Sequence, residues 1–121
     1  MKFLIASKNK KKLNEMQRIL SPLGIEVVSE SDSGYTFPEV EENGTTFAEN
    51  AKIKALSAMK TTGLPAVADD SGLCIDALNG APGIYSARFS GDHNDDANNQ
   101  KVFDLLKDTP DDKRTARFVC S

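Results

Sequence analysis

Apolar positions change their spacing several times along the chain, and each change predicts an element. Phe3-Leu4-Ile5-Ala6 is an unbroken apolar run, short enough for a buried strand, and Ser7-Lys8-Asn9 follows as a polar turn. From Lys10 to Leu20 the apolar residues Leu13, Met16, Ile19 and Leu20 recur at helical spacing, and Pro22 and Gly24 predict the helix end. Ile25 to Val28 reads as a second strand. Ser29 to Asn43 is polar and acidic, carries Gly34 and Pro38, and predicts a loop.

Thr46-Phe47-Ala48-Glu49 fits a capping box opening the longest helix, which runs to about Thr61 and is closed by Gly63. Its predicted inward face is Phe47, Ala51, Ala55, Ala58 and Met59. Ala66-Val67-Ala68 is a third strand, ending in Asp69-Asp70-Ser71-Gly72, and Leu73 to Asp76 continues extended. Asn79-Gly80 predicts a hairpin-type turn and Pro82-Gly83 another. Asp95 to Leu106 is expected to be helical. Thr115 to Cys120 alternates, with Ala116, Phe118 and Cys120 on one face and Arg117 and Val119 on the other. This order predicts an α/β class in one domain over residues 1–121, with a mixed twisted sheet flanked by helices. Nothing follows the last strand to cover it, so the domain reads as cut short.

Hydrophobic residues make up 39% and charged residues 27% of the 121, which excludes a disordered chain. No apolar run approaches the ~20 residues that span a bilayer. The start is apolar for only four residues before lysines follow, so no signal peptide is expected and a cytoplasmic protein is. Cys74 and Cys120, far apart and outside any C-x-x-C, predict neither a disulfide framework nor a zinc site.

The net charge of −3 hides segregation. Residues 1–18 carry six basic side chains and one acid, residues 26–49 seven acids and no base, and residues 92–112 seven acids and two bases. A basic turn beside acidic stretches suits an anionic ligand held partly through a divalent metal, and solvated faces are the plainer reading. The overall basic balance expected of a nucleic-acid binder is absent.

Four segments could carry chemistry. In the strand-to-helix turn Ser7-Lys8-Asn9-Lys10-Lys11-Lys12, a helix start offers backbone N–H groups to phosphate, and Ser7, Asn9 and the lysines add donors and charge. The glycines of a P-loop are missing, and a solvated lysine-rich first turn is the competing reading. Asp69-Asp70-Ser71-Gly72 follows an apolar strand, where α/β sheets place their sites; a carboxylate there can hold Mg²⁺ and orient a water. Strand alternation lets one aspartate face a cleft while the other braces a turn. Glu41-Glu42 could supply a second acidic metal ligand or be loop solvation. In Gly80-Ala81-Pro82-Gly83-Ile84-Tyr85-Ser86-Ala87-Arg88, Tyr85 and Arg88 lie near each other: an aromatic could line a base pocket and an arginine meet phosphate or a partner subunit, while a structural turn with Tyr85 in the core is the favoured reading. His93, the one histidine, is expected on the surface, so Ser/His and Cys/His dyads lack support.

Together, S-K-N-x-x-K at 7–12, E-E-N-G-T-T-F-A-E-N-A at 41–51, A-D-D-S-G-L at 68–73 and G-A-P-G-I-Y-S-A-R-F at 80–89 resemble the non-canonical purine nucleoside triphosphate pyrophosphatases, the inosine/xanthosine triphosphatase (ITPase) family. The resemblance runs from Phe3 to the last residues. It implies an elongated α/β fold with a cleft between two lobes, a homodimer, and Mg²⁺-dependent cleavage of ITP, dITP and XTP to the monophosphate and pyrophosphate, which cleans the nucleotide pool. It implies further that Ser7, Lys8, Asn9, Lys10, Lys11 and Lys12 contact phosphate. Asp70 would be general base and metal ligand, Glu41 (or adjacent Glu42) the second metal ligand, and Ser71 a substrate contact.

Two departures stand out. Lys8 and Lys11 occupy positions where the family often has a small residue or glycine. The family's later F-G-Y-D and S-H-R segments, which contact base and phosphates, do not occur here, so the chain resembles the family's N-terminal part. A catalytically silent nucleotide- or protein-binding module, oligomerising through the unfinished sheet edge, is the alternative. A Maf-like pyrophosphatase is disfavoured, because S-K-N-K-K-K stands where that family opens with S-x-S-P-R-R.

Overall fold

The computed structural model describes residues 1–91 and 93–121. Asp92, which the sequence places in an acidic block beside His93, lies outside the described residues. The chain divides into two compact units, Met1–Asp69 and Asp70–Ser121.

The first unit contains β1 (Lys2–Ile5), α1 (Lys10–Leu20), β2 (Glu26–Val28), α2 (Glu30–Ser33), α3 (Phe47–Thr62) and β3 (Ala66–Val67). Its strands form a parallel sheet in the order β2-β1-β3, with Leu4 opposite Val28 on one side and Ala66 on the other. The most continuously apolar strand takes the centre, as burial on both faces requires. Leu4 and Ile5 point to opposite faces, yet they are 0% and 2% exposed. α3 packs on β1 and β3, and α1 on β2. The core joins Leu4, Ala6, Phe37 and Ala58, with Val28, Leu64, Ala66 and Ala68 against them.

Two expectations need correction in this unit. Ser29–Asn43 is not all loop: Ser29 Oγ accepts the Asp32 N–H at 3.1 Å, capping α2, and Gly34 at φ 75° closes it. Beyond it Phe37 enters the core, and its N–H donates to Glu30 Oε1 at 2.7 Å. The inward face of α3 is also rotated. Asn50, Ala51 and Ala58 are buried, whereas Met59 is 42% exposed. At about 100° per residue the centre of the buried stripe runs through 47, 50, 51, 54 and 58, and Met59 lies roughly 120° away.

The second unit pairs β4 (Ser71–Ile75) antiparallel with β5 (Ala116–Cys120), Leu73 facing Phe118. Reciprocal 2.9 Å bonds between the backbones of Asp70 and Ser121 extend this ladder. After β4 the chain makes a 3-10 turn, Asp76–Leu78, and reverses at Asn79 (φ 54°) and Gly80 (φ 88°). The predicted turn is thus found as the end of a longer reversal that brings Pro82 beside Cys74. A second 3-10 segment covers Gly83–Arg88, and α4 spans Asp95–Leu106, capped by Asn94 and buried through Asn98 and Leu106. The alternation of β5 does not produce a covered apolar face: Ala116, Phe118 and Cys120 are exposed, Phe118 at 78%, and Val119 is the half-buried position. The α/β class stands, with parallel and antiparallel pairings in two separate sheets. No helix among the described residues is long and apolar enough to cross a membrane.

Candidate functional site

The turn between β1 and α1 is built by its own side chains. Ser7 Oγ accepts the Asn9 N–H at 3.1 Å. Asn9 is the N-cap of α1, its Oδ1 accepting from the N–H groups of Lys11 at 3.0 Å and Lys12 at 3.4 Å. The helix start was expected to offer bare amides; two of them are already engaged by the cap, which leaves Asn9 Nδ2, the Ser7 hydroxyl and the lysine ammoniums as the turn's side-chain donors. Lys8, Lys10 and Lys11 are exposed. Lys12 is drawn inward, its Nζ 2.9 Å from Asp69 Oδ2, with the two side chains 29% and 15% exposed.

Asp69 therefore plays the bracing part that strand alternation allowed for one of the two aspartates. Its carbonyl also accepts a hydrogen bond from Lys54 Nζ on α3. Lys54 was missed in the sequence. The available signal was its place with Asn50 and Ala58 on one i, i+4, i+8 stripe, where a lysine among buried positions needs a polar partner.

Glu41 is exposed, its carbonyl accepting the Asn43 N–H at 3.0 Å, and Glu42 is half-buried. The end of this loop is fastened to α3. Gly44 N–H donates to Asn50 Oδ1 at 2.8 Å, and Thr45 N–H and Oγ1 donate to Glu49 Oε2 at 2.6 and 3.0 Å. A Cβ at Gly44 would lie 2.7 Å from Asn50 Oδ1 and from Glu49 Cβ, so this close approach requires glycine. The capping box is widened by one residue. Thr46 Oγ1 accepts the Glu49 N–H at 3.1 Å, and the Glu49 carboxylate accepts chiefly from Thr45, the Thr46 N–H being a smaller influence on it. The Thr45 N–H, then its hydroxyl, hold the Glu49 carboxyl below its ordinary value.

In the second unit Asp70 is 8% exposed and Ser71 is half-buried opposite Cys120. β4 is fastened through Leu73 N–H to Ser86 Oγ at 2.9 Å, and Ser86 donates to the Gly83 carbonyl at 2.6 Å. Tyr85 is 54% exposed, so its expected place in the core is wrong: the 3-10 turn spends its inward position on Ser86. Tyr85 and Arg88 do meet, the guanidinium 5.4 Å from the ring centroid. His93 is exposed, as expected.

Residues 3–121 match the sequence profile of the Ham1 family. A dITP/XTP pyrophosphatase from Shigella flexneri is 53% identical over 120 residues, covering 98% of this chain and 60% of that protein. One from Desulforamulus reducens is 55% identical over 122 residues, covering 99% and 60%. Among solved structures, a HAM1 protein from Coxiella burnetii superposes with a TM-score of 0.88 at 46% identity, over 99% of this chain and 60% of that one. A nucleoside-triphosphatase / dITP/XTP pyrophosphatase from Mycobacterium abscessus gives 0.84 at 50% identity, over 99% and 63%. The chain thus spans about 60% of the length of the curated relatives it matches.

Proposed function

The chain belongs to the Ham1 family, and from that premise we propose that it hydrolyses deaminated purine nucleoside triphosphates (ITP, dITP and XTP) to the monophosphate and pyrophosphate. The observation that carries this reading is the pairing of Lys12 with Asp69 beside the Ser7–Lys12 turn. It holds an ammonium group half-buried at the end of a parallel strand, next to a capped helix start, and this is an arrangement suited to a polyphosphate. Ser7, Lys8, Asn9, Lys10, Lys11 and Lys12 are the proposed phosphate contacts, and Ser71 a further substrate contact. The positive charge of the four lysines would stabilise the leaving pyrophosphate as it develops.

Asp70 is the proposed general base, orienting a water for attack on the α-phosphorus and accepting its proton. Glu41, with Glu42 adjacent, and Asp70 are the proposed ligands of Mg²⁺. The donor set fits in kind: carboxylate oxygens are hard ligands, and Mg²⁺ takes one or two of them and completes its shell with phosphate and water. Accordingly no cage of three His, Cys, Asp or Glu residues is needed, and none occurs among the described residues. When bound, the ion would neutralise polyphosphate charge and acidify a water. A homodimer and a cytoplasmic location complete the proposal; multi-angle light scattering and cell fractionation test them.

The decisive assay compares ITP with ATP, with and without Mg²⁺, and resolves IMP plus pyrophosphate from IDP plus phosphate. Selective Mg²⁺-dependent release of IMP and pyrophosphate is expected, falling about 10²-fold or more in Asp70→Asn. Formation of IDP, or full activity in Asp70→Asn, refutes the assignment.

A further inference from the structure

We propose that Asp69 is a positioning residue that presents two lysines, Lys12 through its carboxylate and Lys54 through its carbonyl, to the phosphates of a ligand. The proposal rests on the reading of the Ser7–Lys12 turn as a phosphate site. In the sequence Asp69 is only the neighbour of Asp70. In the structure it is where two helices meet the end of β3: Lys12 is in the first turn of α1 and Lys54 in α3, and both ammonium groups end on this one residue.

Three physical points favour positioning over a plain structural ion pair. A lysine stem has many rotamers, and a free ammonium must lose them when it grips a phosphate. Fixing Lys12 beforehand removes that cost from the binding step. Lys12 is held by the carboxylate and Lys54 by the neutral main-chain carbonyl, so Asp69 sets one negative charge against the two ammonium groups. An ammonium has three donors, and one bond to Asp69 leaves Lys12 others for an oxyanion. Lys8, Lys10 and Lys11 in the same turn are exposed, so their charge is screened by salt more strongly than that of Lys12.

The test uses the full 121-residue chain and inorganic pyrophosphate, with affinity read by calorimetry. Asp69→Asn is expected to weaken binding about tenfold, and Asp69→Glu to regain part of it. Combined with Lys12→Ala, Asp69→Asn is expected to add almost nothing, because it acts through Lys12. An unchanged affinity in Asp69→Asn, or a full additive loss in the Lys12→Ala background, overturns the proposal while the phosphate site stands. Absence of pyrophosphate binding to the wild-type chain overturns the phosphate site itself, and the proposal with it. Should Asp69→Asn fail to fold, ¹³C relaxation at the lysine Cε atoms of the wild-type chain decides. Lys12 and Lys54 are expected to be ordered and Lys8 mobile, and a Lys12 as mobile as Lys8 refutes positioning. In a folded Asp69→Asn chain, Lys12 should loosen while Lys54, bonded to the main chain, stays ordered.

Discussion

Glu49 shows how much a single side chain does at the start of α3. It is solvent-exposed, yet it accepts two hydrogen bonds from Thr45, and these hold its carboxyl below the ordinary 4.5. A carboxyl depressed in the folded state contributes stability that is complete above its unfolded value and is lost as pH falls through the lowered folded value. Glu49→Gln is therefore expected to be less stable than wild type at pH 7, with the gap closing as the solution is acidified below about 4.5. Urea midpoints across that range check this; a gap that widens on acidification contradicts it. The residue types at this helix start were legible in the sequence, since a threonine followed three residues later by a glutamate marks an N-terminus. Which threonine Glu49 would answer was not, because the loop before the helix folds back onto Asn50 through Gly44.

At the scale of the element, the long helix and the first strand were read almost to the residue, because a 3.6-residue period and an unbroken apolar run are local signals. The rotation of α3 was not local. Ala51 and Ala58 face inward, and Asn50 and Lys54 share their stripe because each finds a polar partner, Gly44 N–H for one and the Asp69 carbonyl for the other. Apolarity alone would have put Met59 there instead. The two faces predict different penalties. Ala58→Leu, at a position 2% exposed, should overpack the core and cost about 1–3 kcal/mol. Met59→Gln, at 42% exposure, should stay within about 0.5 kcal/mol. Chemical denaturation of both variants measures the contrast, and equal losses would put the stripe back where the sequence had it. β5 fails for a related reason: alternation says which residues share a face, and only packing says whether that face is covered.

On the scale of the whole molecule, the charge blocks matter more than the net charge of −3. The lysine-rich turn divides into exposed ammoniums, at Lys8, Lys10 and Lys11, and the half-buried Lys12. Screening lengths shrink from about 30 Å at 0.01 M salt to about 8 Å at 0.15 M, and exposed charges feel this most. Pyrophosphate affinity should accordingly fall several-fold over that interval. A triple Lys8→Ala, Lys10→Ala, Lys11→Ala variant should lose most of the salt dependence, while Lys12→Ala should keep it and bind more weakly throughout. Isothermal titrations at two salt concentrations separate these outcomes, and a steeper salt slope in the triple variant would contradict the division.

The sequence by itself determined the α/β class, the helix at 10–20 and the one at 95–106, because these depend on residue type, order and short-range spacing, and its motifs carried the family resemblance that nominates Ser7 to Lys12, Glu41, Asp70 and Ser71 as candidates. The tertiary structure alone decided that Asp69 reaches Lys12, that Lys54 ends on the Asp69 carbonyl, and that Tyr85 faces solvent while Ser86 ties β4 down. Each of these is a choice of partner for a polar group. A polar group taken from water must find a partner, and which partner lies within about 3 Å is fixed by how distant segments pack.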